Sequence, residues 1–189
     1  MNRADRAEEL FRQGYNCSQS VFAAFADMVG MTTEEAAKIA SPFGAGFGKL
    51  REVCGAVSGM TLLAGYLQGY SDPADYESKK ELYALIQKMC AEFEERKGTI
   101  ICRELLGLRK GEDAAEPSVR TEEYYQSRPC IGACRTAADI AEKYLSAEMP
   151  AVSGSVKDIV LRFDDLDWTE KAECLEILNN MHMQGYCAE

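Results

Sequence analysis

The stretch that most constrains this chain is residues 43 to 69, FGAGFGKLREVCGAVSGMTLLAGYLQG. A glycine-rich loop runs straight into Cys54, which opens an apolar segment carrying Gly55, Gly59, Gly65 and Gly69. A helix so poor in charge has to be buried. Each glycine inside it costs about 1 kcal/mol relative to alanine, so close approach of neighbouring helices is expected to offset them. The first amides of a helix lack internal partners and point at whatever precedes it. A thiolate at Cys54 is therefore expected to have a lowered pKa, as reactive and metal-binding cysteines do. A small buried core cysteine is the plainer alternative.

Helical periodicity continues on both sides. Over 3–13, Ala4, Ala7, Leu10 and Phe11 share one face, and Gly14 ends the run. Asn16 is placed to cap a helix that Cys17 opens, with Val21, Phe22, Phe25 and Met28 as its apolar stripe. Thr33 is expected to cap EEAAKIA. Residues 75–97 read as a long amphipathic helix with Leu82, Leu85, Ile86, Met89 and Phe93 inward and Cys90 in a packing role. Thr99 is expected to cap a short helix with Cys102 in its first turn, and 109–127 read as a polar surface loop. Pro129 and Gly132 are expected to break structure, so that Cys134 leads into a helix bearing Ala138, Ala141, Tyr144 and Leu145. No strand pattern occurs. The expectation is an all-α protein, a compact multi-helix bundle around a buried glycine-rich central helix. AEMPAVSGS reads as a linker, giving a domain over 1–149 and a helical extension over 150–189. In that extension Cys174 falls on an apolar face and Cys187 reads as an exposed bystander.

A chain of 189 residues suits one such domain with an appendage. Its formal charge of −10 argues against nucleic acid and anionic membrane surfaces as partners. The start, MNRADRAEELF, reads as an amphipathic helix, so no signal sequence is expected, and no apolar run reaches membrane-spanning length. A cytoplasmic protein without membrane insertion is expected, and a homo-oligomer is compatible with it. GAGFG resembles a nucleotide loop only superficially, since no strand precedes it and no lysine with serine or threonine follows. No nucleotide is expected. Gly44, Gly46, Gly48 and Gly55 are assigned instead to close backbone approach around the sulfurs and whatever these hold. The sole histidine, His182, leaves no haem attachment motif and no histidine-rich metal site.

Eight cysteines are more than core packing needs, and in a reducing compartment they point to redox work or metal before structural disulfides. Cys17, Cys54, Cys102 and Cys134 each fall at or just inside an expected helix start. Convergence of such starts would create one site suited to anionic sulfur. Cys130 and Cys134 form C-x-x-x-C, a spacing open to metal or disulfide. GYNCSQSV, SPFGAGFG, VCGAVSG, CRELLG and the Cys130/Cys134 segment together resemble the blocks of the C-GCAxxG-C-C family, classed as redox-active proteins without an established substrate. That resemblance implies redox activity and maps the family's cysteines onto Cys17, Cys54 and Cys102, with Cys134 or, as its substitute, Cys130 as the fourth. Part of the pattern is also similar to split-Soret cytochromes, which implies an iron–sulfur centre; their haem motifs are missing, so no haem is expected.

Three functions follow as expectations. In the first, a thiol-dependent oxidoreductase, Cys54 attacks an oxidised small-molecule substrate or redox partner and Cys17 or Cys102 resolves the product, with Cys134 in the same set. In the second, Cys17, Cys54, Cys102 and Cys134 are ligands to an iron–sulfur cluster or zinc. In the third, the chain is a helical interaction protein with inert cysteines.

Overall fold

A computed structural model describes residues 2–112 and 116–145, which belong to one compact unit. The extension over 150–189, with Cys174, His182 and Cys187, lies outside the described residues. Among the described residues eight regular helices make up the fold, beside a kinked turn at Gly44–Phe47: α1 (Arg3–Arg12), α2 (Cys17–Ala23), α3 (Thr33–Ala40), α4 (Gly55–Gln68), α5 (Tyr76–Lys97), α6 (Cys102–Leu105), α7 (Glu122–Ser127) and α8 (Cys130–Leu145). No strand occurs among the described residues, only one isolated antiparallel bridge between Val53 and Ile101. The protein is all-α.

Side-chain caps set most of the helix starts. Asn2 accepts from the Asp5 amide, Asn16 forms a capping box with Gln19, and Asp75 accepts from the Ser78 amide. Thr32, not Thr33, caps α3, because Thr32 stands three residues before Glu35 and the two close a capping box. Thr121 accepts from the Tyr124 amide and so starts α7 inside the stretch read as loop. Thr99 does not cap α6. Its hydroxyl binds the Glu104 carboxylate and the Ile101 amide, while Ile101 holds the cap position in extended geometry, committed to the bridge with Val53.

Two expected helices end or begin elsewhere. The run from Cys17 stops at Ala23, and a 3-10 turn, Ala26–Val29, rotates the register so that Val29 is buried and Met28 only half-buried. The last helix starts at Cys130, not Cys134. Pro129 lacks only an amide the helix would leave unused, its carbonyl accepts from Ala133 at 2.9 Å, and Gly132 is carried in the first turn.

Helices α2, α4 and α8 pack on one another; α1 lies on α8 and α2, α3 on α2, and α5 on α4 and α8. Ala133, Ala137, Ala138 and Ala141 keep α8 narrow enough for that contact. Phe11, Phe22, Phe25, Met60, Leu63, Met89, Phe93 and Ile140 are fully buried among these helices, each contributing about 1.5–3 kcal/mol by removal from water. Leu85 and Ile86 pack half-buried against the core, and Leu82 is half-buried. The glycines of α4 divide by role. A Cβ on Gly59 would stand 2.6 Å from the Ser18 carbonyl oxygen, so this residue lets α2 and α4 meet, whereas Gly65 faces open space. No described helix is long and apolar enough to cross a membrane.

Candidate functional site

Two of the four helix starts are tied together by backbone. The Cys54 amide donates to the Ile100 carbonyl at 2.8 Å and the Cys102 amide to the Glu52 carbonyl at 2.6 Å, on either side of the Val53–Ile101 bridge. Cys54 holds the cap position of α4 and Cys102 the first position of α6. The bridge therefore sets their sulfurs on neighbouring segments, although 47 residues part them in sequence.

The glycine loop fits over Cys102. Residues 45 to 49 all have positive φ, and Arg51 follows with φ 62°. Ala45, Phe47, Lys49 and Arg51 are not glycines, and a left-handed residue with a Cβ costs about 1–2 kcal/mol. Such strain persists only where surroundings hold it. Here the Gly48 amide donates to the Gly44 carbonyl and the Glu52 amide to the Gly46 carbonyl. The turn allows Gly46 to lie where a Cβ would be 2.7 Å from the Cys102 Cβ. A Cβ on Gly55 would be 3.2 Å from the Cys17 Cβ, and one on Gly44 would overlap the Asn16 amide. Gly44, Gly46 and Gly55 thus give space to cysteines or to the residue that caps a cysteine helix. Gly48 serves the turn itself.

Cys17 opens α2, and Cys130 opens α8. The Cys134 thiol donates to the Cys17 carbonyl at 3.8 Å, and the Cys17 thiol is acted on by both Cys130 and Cys134. Cys134 lies one turn inside α8, on the same face as Cys130, so it is not the helix-start residue expected. Cys54 acts electrostatically on Cys17 and Cys134, and Cys130 on Cys54 and Cys102. The structure thus joins five cysteines where four were expected, with Cys130 and Cys134 both present. Cys17, Cys54, Cys102 and Cys134 are buried, and Cys130 is half-buried. Cys90, in mid-α5, responds only to burial and Glu94 and stands outside the group.

All five thiols are free, and the lowered pKa expected at Cys54 is reversed. Burial pushes Cys54 up to about 12; the Ala56 and Val57 amides favour its anion, without completing a capping hydrogen bond, and are outweighed. Burial likewise raises Cys102 against the opposing pull of Arg51, whose Nη1 donates to its sulfur at 3.8 Å. The Cys130 thiol is raised by its bond to Cys17, then by burial. For Cys17 the bond to Cys130 favours the anion, but the contact with Cys134, burial and neighbouring sulfurs prevail and the thiol is raised. Cys134 follows the same pattern: its bond to Cys17 favours the anion, and burial and the charges of Cys130 and Cys54 exceed it. One buried site does not carry five thiolates at once: burial and mutual repulsion favour the neutral thiols.

Cations surround this set. Arg51 and Arg128 act on Cys102 and Cys130, and Arg120 on Cys134. Tyr124 lies close enough to Cys130 and Cys17 to feel both. These residues escaped the sequence reading, though Arg51 and Arg128 stand three and two residues before a cysteine. The donor chemistry of four or five thiols suits zinc or an iron–sulfur cluster. Their positions do not close into such a cage: among the described residues no three His, Cys, Asp or Glu side chains stand together as metal ligands.

Fold and site together define a helical protein built around a buried group of cysteines at helix starts. Residues 15–144, well over half of the chain, match the family described as "Putative redox-active protein (C_GCAxxG_C_C)", and the protein belongs to that family. Nothing among curated proteins matches the chain, and no solved structure does either.

Proposed function

We propose that the protein is a thiol–disulfide oxidoreductase in which Cys130 exchanges with an oxidised substrate and Cys17 resolves the product. What supports this reading is the mutual effect of the Cys17 and Cys130 thiols on each other's protonation, with Cys130 the half-buried member of the group. Cys54, expected to attack, is buried where Cys130 is half-buried, which suits it to the lining of the site.

The chemistry balances without another reagent. A Cys130 thiolate attacks one sulfur of a substrate disulfide, the substrate S–S bond breaks, and the leaving thiolate takes up the proton Cys130 released. The Cys17 sulfur then attacks the Cys130 sulfur of the mixed disulfide and displaces the second substrate thiol, which takes the Cys17 proton. Two protein thiols are oxidised to one disulfide and one substrate disulfide is reduced to two thiols. The contact with Cys17 and burial keep the Cys130 thiol protonated at rest, and Arg128 and Arg51 pull the other way, towards the anion the first step needs.

The test is the rate at which the reduced full-length protein reduces a small disulfide. Cys130→Ser is expected to abolish the reaction, and Cys17→Ser to halt it at the mixed disulfide, detected by mass. Exchange that survives Cys130→Ser at the native rate would overturn the assignment. Because the thiols are raised, the native rate should climb about tenfold per pH unit from 7 to 9, following the thiolate fraction; a plateau below pH 8 would contradict it.

A second reading is a thiolate-held zinc ion or iron–sulfur cluster, favoured by the arrival of four helix starts at one group of sulfurs. Anaerobic purification with a visible spectrum and iron, sulfide and zinc assays separates the two: stoichiometric metal supports the second reading, and metal-free protein with five titratable thiols in the group supports the first.

A further inference from the structure

Exchange between Cys130 and Cys17 leaves a neighbouring sulfur unused. Cys134 follows Cys130 by one turn of α8, and residues at that spacing share a helix face with Cβ atoms about 5–6 Å apart. Helix α2, which Cys17 opens, packs on α8. The Cys134 thiol donates to the Cys17 carbonyl at 3.8 Å, so its sulfur lies against the Cys17 backbone rather than across the site. The Cys17 thiol responds to both α8 cysteines, to Cys130 first and Cys134 second. Cys17 thus has two partners on one helix face, a turn apart.

The two partners differ in depth. Cys134 has no exposed surface and Cys17 is 8 % exposed, whereas Cys130 is half-buried. A bridge from Cys17 to Cys130 keeps one sulfur where a small thiol can reach it. A bridge from Cys17 to Cys134 joins two buried residues. A disulfide cannot ionise, so burial penalises it less than a sulfur that must become an anion to react. The deep position suits the bridge, and the half-buried position suits the reacting thiol.

We propose that Cys134 is a third working thiol of this site, which takes the bridge from Cys130 once it has formed and carries it into the core. This rests on the thiol–disulfide reading given above and adds the fate of the oxidised protein. The Cys134 sulfur attacks the Cys17 sulfur, the Cys17–Cys130 bond breaks, and the released Cys130 thiolate takes up the proton that Cys134 gave. One disulfide is exchanged for another and no outside oxidant or reductant is needed. Contact with Cys17 favours the Cys134 anion, but burial and the charges of Cys130 and Cys54 outweigh it. The attack therefore waits on a scarce thiolate and follows the first exchange as a separate, slower phase. Its consequence is direction: the substrate thiols just released no longer meet a reachable bridge, and Cys130 is a free thiol again.

The test mixes the reduced full-length protein with one equivalent of hydroxyethyl disulfide and stops samples with acid at intervals. Free and bridged cysteines receive different alkyl labels, and tandem mass spectrometry of the peptide carrying both Cys130 and Cys134 tells them apart. In the native chain the Cys17–Cys130 bridge should appear first and decline as Cys17–Cys134 rises, with Cys130 regaining its reactivity towards iodoacetamide. In Cys134→Ser and Cys134→Ala the first bridge should persist, and mercaptoethanol should cleave it about tenfold faster than the bridge of the oxidised native chain, since access governs that rate. A Cys17–Cys130 bridge that persists in the native chain, or passes to a cysteine other than Cys134, would overturn the transfer and leave the thiol reading standing. No Cys17–Cys130 bridge at any interval would overturn the thiol reading, and the transfer with it.

Discussion

At Cys54 two forces act in opposite senses, and their sizes decide the outcome. The amides at a helix start stabilise an anion by about 0.3–1 kcal/mol in ordinary settings. A shift from 9 to about 12 corresponds to about 4 kcal/mol in favour of the thiol. Burial wins. The folded protein keeps a proton there that the unfolded chain loses above pH 9, so the stability due to Cys54 is fully present below pH 9 and is lost as pH rises towards about 12. Urea unfolding under reducing conditions should show this decline, and Cys54→Ala, with no proton to keep, should decline less over the same interval; equal slopes would contradict it. Glycine positions give a second contrast. Gly46→Ala combines φ +74° with a Cβ 2.7 Å from the Cys102 Cβ and 2.8 Å from the Arg51 Cα, and should cost about 3 kcal/mol or more. Gly48→Ala has φ +59° and no neighbour nearer than 3.8 Å, and should cost about 1–2 kcal/mol. Denaturation of the two variants checks the order. The sequence already assigned these glycines to close approach, because no strand preceded them. The direction of the Cys54 shift was not legible, since a helix start is a local pattern whereas burial is decided by distant helices.

Among the elements, α8 shows where local signals mislead. Pro129 and Gly132 read as breakers, yet proline just before a helix and glycine in its first turn interrupt no hydrogen bond that the helix needs. Starting at Cys130 instead of Cys134 puts both cysteines on one face and brings both to Cys17. The C-x-x-x-C spacing held that information, since residues four apart share a helix face, but only with the helix start in the right place. The Val53–Ile101 bridge had no sequence signal, being a single pair between segments nearly fifty residues apart. Helix α2 was readable because Asn16 and Gln19 form a box over a few residues. Asn16→Ala should remove that box and the Asn16 bond to the Ser41 carbonyl, lowering stability by about 1–2 kcal/mol in urea denaturation. A loss under about 0.3 kcal/mol would mean that packing alone holds the start of α2.

Across the whole molecule, α8 is the strut to which the other parts are fastened. Arg135 reaches Asp5 and Glu8 on α1 at 2.8 and 2.7 Å, and Lys143 and Tyr144 both reach Glu92 on α5 at 2.7 Å. Lys143, then Tyr144, hold the Glu92 carboxyl down to about 2. That stabilisation is fully present above the ordinary carboxyl value of 4.5 and is lost as pH falls towards about 2. Acid unfolding of Glu92→Gln should therefore show a flatter pH dependence than the native chain between those values. The all-helical fold followed from periodicity alone, while the joining of five sulfurs from four distant helix starts depended on tertiary packing. The central claim is that Cys17, Cys54, Cys102, Cys130 and Cys134 form one site with Cys17 and Cys130 as its working pair. Peptide mapping by mass spectrometry after stepwise oxidation of the reduced full-length protein tests it directly. The account predicts a first disulfide joining Cys17 to Cys130, absent in Cys130→Ser, with Cys90 still free. A first disulfide through Cys90, or none among the five, would contradict it.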